Sequence, residues 1–449
     1  MERTRRVLVP GLHGGMIRRT IHEWGSISYG DADNEIPSYA ADKLAAVAKS
    51  SLLAGRSGIR VLEHGRRALR AQGVVGIIAA SDCALEILPK IDHDKGNETE
   101  PVGTVRKRLV HMLAAVLDLK LEVGALTQLD WQRNSLLEIL IGVFTQKLTD
   151  VLRQGMPRRY VECEEDLPSV RGRLDLARQF TTLAANPSLL ACRFDALTRD
   201  IALNQIMKAA VQSLAGVART VANQQRLREL GFLYLEVKGV PISALRWDEI
   251  VLDRTNNRWA ELLRLAKMLL GQRFQTTSQG TGGGYSLLFE MNSLFEQYVA
   301  RKLKQALRDT DLRVVSQGGQ LHCLEDEDNK RLFRTRPDIL IQRGDHVVQI
   351  IDTKWKRIVN AADDPKQGVS QGDVYQMMAY GQLYKCPRLT LLYPHHWGLS
   401  PPDGVHSTFR VRGGNHFLEV RTLDIATDDQ LTDRLKALVI DTHLAKPRT

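Results

Sequence analysis

The spacing of apolar residues changes twice along this chain, so no single layer of secondary structure can accommodate all of it. From Arg18 to about Asp92 the signals are short and strand-like: Thr20–Gly25, Gly58–Leu62, Gly73–Ile78 and Cys83–Ile91, with one inserted helix near Ala40–Ala54. From about Val102 to Leu270 the apolar residues recur every three to four positions, as on helices, in Val105–Leu117, Ser135–Arg153, Asp200–Val217, Asn223–Leu230 and Trp247–Leu269. From Tyr285 onward both periods alternate. Ser286–Leu307 has the pattern of an amphipathic helix. Leu312–Val315, Pro337–Gln342 and His346–Asp352 look like strands, Asp373–Leu383 like a helix, and Leu389–Tyr393 and Ser407–Val411 like strands again. The order predicts an α+β multidomain protein whose last part holds a mixed sheet. At 449 residues the chain also exceeds what one hydrophobic core supports. We expect a β-rich N-terminal domain over 1–100, a helical middle domain over 101–272 and a C-terminal α/β domain over 285–449. The polar run His93–Thr99 marks the first boundary and the Gly-rich run Gln275–Gly284 the second.

Composition narrows the class. Apolar residues make up 43% and charged residues 25%, as in ordinary globular proteins. No apolar run approaches the roughly 18 residues of a membrane span, and Val7-Leu8-Val9 before Pro10 is too short for a signal peptide, so a cytoplasmic protein with no membrane partner is expected. The five cysteines are scattered without a Cys-x-x-Cys pair, which argues against a disulfide framework or a zinc site. The formal net charge of +10 has the sign that a nucleic-acid partner requires.

The densest chemistry lies around Gly344. If residues 344–346 close a hairpin, Asp338 falls directly opposite Asp352. Side chains paired in this way sit about 4.5–5.5 Å apart at Cβ. Lys354 is two residues beyond Asp352 and shares its face, whereas Thr353 points to the other. Two carboxylates this close repel and resist ionisation unless a cation neutralises them. Hard oxygen ligands suit Mg²⁺, with Mn²⁺ as a substitute, and such a cation activates water against a phosphate ester. The plain alternative is a surface hairpin with a solvated Asp352–Lys354 ion pair.

Further residues surround this pair. Glu296 lies roughly 90° from the centre of its helix's apolar stripe, so that its carboxylate can reach over a sheet. Gln376 and Tyr380 are four residues apart on one helix face, where they can contact phosphate or hold the lysine; Asp373 and Gln376 also fit a capping box. Lys330, Arg331, Arg334 and Arg336 crowd the approach to Asp338, either as a solvated face or as a patch that tracks a DNA backbone. The chain has neither a phosphate-binding Gly-x-x-x-x-Gly-Lys-Ser/Thr loop nor a Gly-x-Ser-x-Gly elbow, so it carries no nucleotide-driven motor of that type.

The set Glu296, Pro337-Asp338, Asp352-Thr353-Lys354 and Gln376-x-x-x-Tyr380 resembles the PD-(D/E)XK nuclease superfamily in its Gln-x-x-x-Tyr variant. Ile21-His22-Glu23-Trp24-Gly25, Leu85–Ile91, Arg171-Gly172-Arg173, Met291–Glu296 and Ile351–Lys356 narrow the resemblance to the McrC nuclease subunits of McrBC restriction systems. That resemblance implies a Mg²⁺-dependent DNA endonuclease whose metal is held by Asp338, Asp352 and Glu296 and whose catalytic set also includes Lys354, Gln376 and Tyr380. It implies double-stranded modified DNA as substrate and an McrB-like AAA+ GTPase ring as partner, which the N-terminal region docks on and stimulates. Two other readings stay open: a stand-alone exonuclease or repair nuclease, and a non-catalytic DNA-binding adaptor.

Overall fold

The computed structural model describes residues 16–51, 53–54, 61–90, 101–120, 128–254, 256–271, 273–274, 284–358, 366, 368–396, 399, 404–412, 416–425 and 430–440. The boundary expected at His93–Thr99 lies outside these residues, as does the linker expected at Gln275–Gly284 except for Gly284, which begins a strand. The architecture is mixed α and β, with several sheets, and forms two compact units: residues 1–136 with 273–449, and residues 137–272. Among the described residues no helix is long and apolar enough to cross a membrane.

The first unit opens with β1 (Ile17–His22), β2 (Ser26–Ser28), α1 (Ser38–Lys49), β3 (Leu62–His64), β4 (Ala68–Ala71), β5 (Val74–Ala79) and β6 (Cys83–Leu88). Strand β1 runs parallel to β6, and β6 pairs antiparallel with β5. Strands β5 and β6 are buried at every position, so they read as continuous apolar runs rather than alternating ones. Ala40, Ala41, Leu44 and Ala48 of α1 pack onto this sheet with Leu69, Ile78, Leu85 and Ile87. Helices α2 (Val102–Val116) and α3 (Gln128–Arg133) follow. The buried Arg106 on α2 donates to the Glu86 carboxylate at 2.6 Å and to the Gln132 carbonyl at 2.9 Å. Glu86 also accepts from the Leu136 amide at 2.8 Å, which compensates its burial.

The second unit holds the expected helices as α4 (Leu136–Arg153), α6 (Ala202–Ala215), α7 (Val221–Leu233) and α8 (Ala260–Leu270), although the last, expected from Trp247, begins only after the 3₁₀ turn Asn257–Trp259. It is not wholly helical. Strands β7 (Arg159–Leu167), β8 (Arg173–Leu174) and β9 (Leu190–Thr198), with the short α5 (Leu176–Phe180) between β8 and β9, form an antiparallel sheet. Strand β7 is exposed at most positions, so it lacks the apolar alternation that a sequence reading detects.

The chain then returns to the first unit through β10 (Arg273–Phe274) and β11 (Gly284–Glu290), which leads directly into α9 (Met291–Ala306). The amphipathic segment expected as a helix from Ser286 thus begins as a strand. Tyr285, Ser286, Leu287 and Leu288 are all buried, and β11 pairs antiparallel with β5 from Tyr285↔Ala79 to Glu290↔Val74. Tertiary pairing overrides the helical pattern there. The N-terminal sheet is therefore completed by a strand about 200 residues further along the sequence.

A second sheet has the order β12 (Leu312–Ser316), β15 (Ile339–Arg343), β16 (His346–Thr353), β17 (Arg388–Pro394), β19 (Phe417–Leu423) and β18 (Gly404–Arg410). Strands β13 (His322–Glu325) and β14 (Arg331–Arg334) form a separate ribbon, α10 (Gln371–Leu383) connects the parallel pair β16 and β17, and α11 (Leu431–Ile440) ends the described chain. The β15–β16 turn is shorter than expected. Arg343 pairs with His346 around Gly344-Asp345, with Gly344 at φ 57°. A bulge between Ile341 and Gln342 then restores the register, so that Ile339 lies opposite Ile351. The end of the hairpin that carries Asp338 is placed as expected, although its loop is not.

Gly76 sits at the β5–β11 junction with φ 132°, and a Cβ there would come within 1.9 Å of the Leu287 carbonyl oxygen. Gly76→Ala is expected to lower stability by about 2–4 kcal/mol, through backbone strain and displacement of β11. Urea unfolding followed by circular dichroism checks this; an unchanged midpoint contradicts the observed pairing.

Candidate active site

The hairpin delivers two acids to one place by different means. Asp352 belongs to β16, is 2% exposed, and pairs alongside Leu391 of β17. Asp338 lies just before β15 and reaches across. Its Oδ2 accepts the Thr353 amide and the Thr353 hydroxyl, each at 2.8 Å. This corrects the expectation that Thr353 points to the other face: its side chain holds Asp338. The hydroxyl makes Thr353 a local anchor, which strand alternation alone does not reveal.

Lys354 leaves the end of β16, with its amide donating to the Leu392 carbonyl at 2.9 Å. Its ammonium lies 2.7 Å from Asp352 Oδ2 and 3.4 Å from Asp373 Oδ1. It also donates to Gln376 Oε1 at 3.4 Å, and Gln376 Nε2 donates to the Tyr380 hydroxyl at 3.0 Å. The structure thus brings Gln376 and Tyr380 to the lysine. It does not form the capping box. Ser370 precedes α10 without a side-chain cap, and Asp373 instead pairs with Lys354 and with Lys356 at 2.6 Å. Asp373 is a site residue that the sequence reading assigned to the helix end.

Glu296 on α9 is half-buried, and Gln317 links it to the other acid. Gln317 Nε2 donates to Glu296 Oε1 at 2.9 Å, its amide donates to the Asp338 carbonyl at 2.8 Å, and its side-chain oxygen accepts from Arg336. To do so Gln317 adopts φ 49°, an uncommon conformation for a residue with a side chain. The sequence reading missed Gln317; the Gly318-Gly319 pair after it marks only the turn. Of the four basic residues expected near Asp338, Arg336 is the one whose charge acts on Glu296 and Asp338. Arg331 and Arg334 stand exposed on the β13–β14 ribbon, Arg331 facing Glu325 at 3.5 Å, and Lys330 is exposed beside its turn.

Electrostatics bind these groups into one unit. Burial, then the Asp338 charge, pushes Asp352 up to about 6 from an ordinary 3.8. Burial and Asp338 likewise push Glu296 up to about 7. Asp338 is raised by burial, against the hydrogen bonds from Thr353. Burial alone would favour neutral Lys354, but Asp352, Asp373 and Asp338 outweigh it and hold the ammonium charged. Among the described residues no three His, Cys, Asp or Glu side chains close around a common point. Asp352 and Asp373 are gathered around the Lys354 ammonium instead. The donor chemistry of the acids fits a hard divalent cation: carboxylate oxygens carrying more negative charge than their neighbours neutralise.

Fold and site together define a multidomain α+β protein with a buried acid–lysine centre, where a hairpin meets a parallel strand. The chain belongs to the family of McrBC 5-methylcytosine restriction system components, whose family model matches residues 69–394. It is 19% identical over 253 residues to the type IV methyl-directed restriction enzyme EcoKMcrBC of Escherichia coli K12, covering 55% of this chain and 72% of that protein. A chain from the refined half-complex of a tetradecameric assembly of Thermococcus gammatolerans McrB AAA+ hexamers with bound McrC superposes with a TM-score of 0.71. It is 19% identical, covering 94% of this chain and 99% of that one. A chain from the Thermococcus gammatolerans McrBC complex gives 0.51 at 23% identity, covering 65% and 88%. At these identities the likeness is one of fold.

The raised carboxyl groups have a consequence for stability. An acid whose folded pKa lies above its unfolded value costs nothing below the unfolded value and opposes folding once pH exceeds the folded one. For Asp352 the window runs from 3.8 to about 6, and for Glu296 from 4.5 to about 7. In EDTA, Asp352→Asn and Glu296→Gln are therefore expected to melt at or above wild type at pH 8, with the difference vanishing toward pH 4. Calorimetry across that range checks the sign; variants markedly less stable than wild type at pH 8 contradict it.

Proposed function

We propose that this chain is the DNA-cleaving subunit of a modification-dependent restriction system of the McrBC type, with a nuclease centre of PD-(D/E)XK character. The observation that carries the reading is the lysine set between acids. Lys354 bridges Asp352, Asp373 and Gln376, while Asp338 and Glu296 stand within electrostatic reach. Three partly ionised carboxyl groups beside a fixed ammonium have little structural purpose, since an apolar cluster of the same volume is usually at least as stable. They suit the hydrolysis of a phosphodiester.

In this reading Asp338 and Asp352 hold Mg²⁺, with Mn²⁺ able to replace it, and Glu296 is an auxiliary ligand or water contact. The cation supplies Lewis-acid charge at the scissile phosphate and acidifies the attacking water. Thr353 fixes Asp338 so that its second oxygen stays available. Lys354, held charged by its neighbours, serves as a positive charge for the developing phosphorane and an orienter of water rather than as a base. Gln376, backed by Tyr380, aims the lysine. Arg336, with Lys330, Arg331 and Arg334 further out, contacts the DNA backbone.

Membership in the McrBC family favours a two-part machine over a stand-alone nuclease. The solved relatives include an McrC bound to McrB AAA+ hexamers, and we assign this chain the same kind of partner, a GTP-hydrolysing AAA+ ring that selects modified double-stranded DNA. The N-terminal β-rich region is the proposed docking surface for that ring.

Cleavage of methylated plasmid by the assembled system with GTP and Mg²⁺ tests the reading. Asp352→Ala and Lys354→Ala are expected to lower cleavage by roughly 10²–10⁴-fold while stimulation of the partner's GTPase persists. EDTA should abolish cleavage. An Asp352→Ala protein that cuts like wild type would falsify the assignment, and cleavage of DNA ends without ring or GTP would point to a stand-alone nuclease. Because the cation must displace protons from Asp352 and Glu296, the Mg²⁺ needed for half-maximal cleavage is expected to rise about tenfold or more from pH 8 to pH 6. A flat dependence over that range contradicts the ligand set.

A further inference from the structure

Two sequence motifs remain outside this mechanism: the Glu23-Trp24 turn near the start of the chain and Trp355, immediately after Lys354. They meet in the structure. Trp355 Nε1 donates to Glu23 Oε1 at 2.7 Å across 332 residues of sequence. The same oxygen accepts the Lys90 amide at 3.0 Å, just beyond β6. Glu23 is 2% exposed, and its amide donates to the Leu88 carbonyl at 2.9 Å, so the carboxylate is anchored to the N-terminal sheet. Trp24 beside it takes φ 62°, strained for a bulky side chain, and lies over Gly73.

Trp355 is gripped from the other side by α9. Its amide donates to Asn292 Oδ1 at 3.2 Å, and its ring packs on Phe295 with centroids 5.3 Å apart. Asn292 and Phe295 precede Glu296 on the same helix. The peptide that follows Lys354 is thus fixed by three groups, one from the N-terminal sheet and two from the helix that carries the third acid.

We infer that Glu23 is a positioning residue for cleavage: by accepting from the Trp355 indole it fixes the backbone that aims Lys354, and so ties the N-terminal sheet to the active centre. Glu23 Oε2 is buried with no hydrogen-bond partner among the described residues, a cost that a purely structural acceptor would not need. Burial raises the Glu23 carboxyl above its ordinary range, against the bonds from Trp355 and Lys90. This inference rests on the nuclease reading above.

The test uses the full chain assembled with its AAA+ ring partner, on methylated plasmid with GTP and Mg²⁺. Glu23→Leu removes the acceptor, Trp355→Phe removes the donor while keeping a ring against Phe295, and Glu23→Gln keeps an acceptor oxygen. Glu23→Leu and Trp355→Phe should each lower kcat roughly tenfold to hundredfold. The double variant should be no worse than the weaker single one, and KM for DNA and GTPase stimulation should stay unchanged. Glu23→Gln should cut within about threefold of wild type, as expected if accepting from the indole is what matters. Independently of activity, the Trp355 indole N–H resonance, identified by its loss in Trp355→Phe, should move upfield in Glu23→Leu and stay in place in Glu23→Gln. Asp352→Ala is the control: if it cuts, the nuclease reading fails. If it is inactive while Glu23→Leu retains wild-type kcat, or if Glu23→Gln is as impaired as Glu23→Leu, the positioning role is overturned. Parallel losses in kcat, KM and GTPase stimulation would reduce Glu23 to a fold-stabilising residue and overturn it equally.

Discussion

Like-charged carboxyl groups held close together and away from water are the constraint around which the first unit is arranged. The Asp338 charge raises the cost of ionising Asp352, and both charges raise that of Glu296. Left alone, such a cluster would take up protons or open to solvent. Lys354, Arg336 and the hydrogen bonds from Thr353 and Gln317 offset part of that cost, and they come from three separate segments. The strand end supplies Thr353 and Lys354, the loop after β12 supplies Gln317, and the approach to β15 supplies Arg336. The incompleteness of the compensation is informative. A cluster neutralised by its own cations has no electrostatic need of further charge, whereas this one keeps its carboxyl groups at a raised cost of ionisation.

What could be read from the sequence follows from how local each interaction is. The convergence of Asp338, Asp352 and Lys354 depends on one hairpin and two short strands, so residue spacing was enough to place them together. Even there the loop was mis-sized. A two-residue turn and a bulge together give the same register at Ile339↔Ile351 as a three-residue loop, and the apolar pattern of Ile339–Ile341 and Ile350–Ile351 constrains only that register. Gln376 and Tyr380 were legible for a similar reason, since helical spacing alone puts them on one face.

The misses are cases where partners lie far apart in sequence. Asp373 sits where a helix-start acid is expected, and only the return of α10 over β16 shows that it faces Lys354. Gln317 carries no pattern at all, because its role depends on a left-handed backbone and on partners from two separate segments. Strand β11 was hidden by a helical period that continues unbroken into α9, and its strand state is dictated by the waiting edge of β5. The last described strands give another example. Glu419 on β19 is fully buried between Arg388 at 3.3 Å and Arg421 at 2.8 Å, an arrangement that needs both β17 and β19 in place.

The pairing of β11 with β5 also changes what the N-terminal segment means for the site. A docking module joined by a flexible tether can bind a partner without altering chemistry elsewhere. Here the strand that completes the N-terminal sheet runs without a break into the helix bearing Asn292, Phe295 and Glu296. That sheet also holds Glu23 against Trp355. Two connections therefore join the sheet to the acid–lysine centre, one through the backbone of β11 and α9 and one through a side-chain hydrogen bond. The sheet, Glu296 and the Lys354 peptide therefore lie in one packed unit, whose elements are held to one another by close contact. On the proposed reading, in which cutting waits for a partner, these two connections would link the surface that is touched to the groups that react.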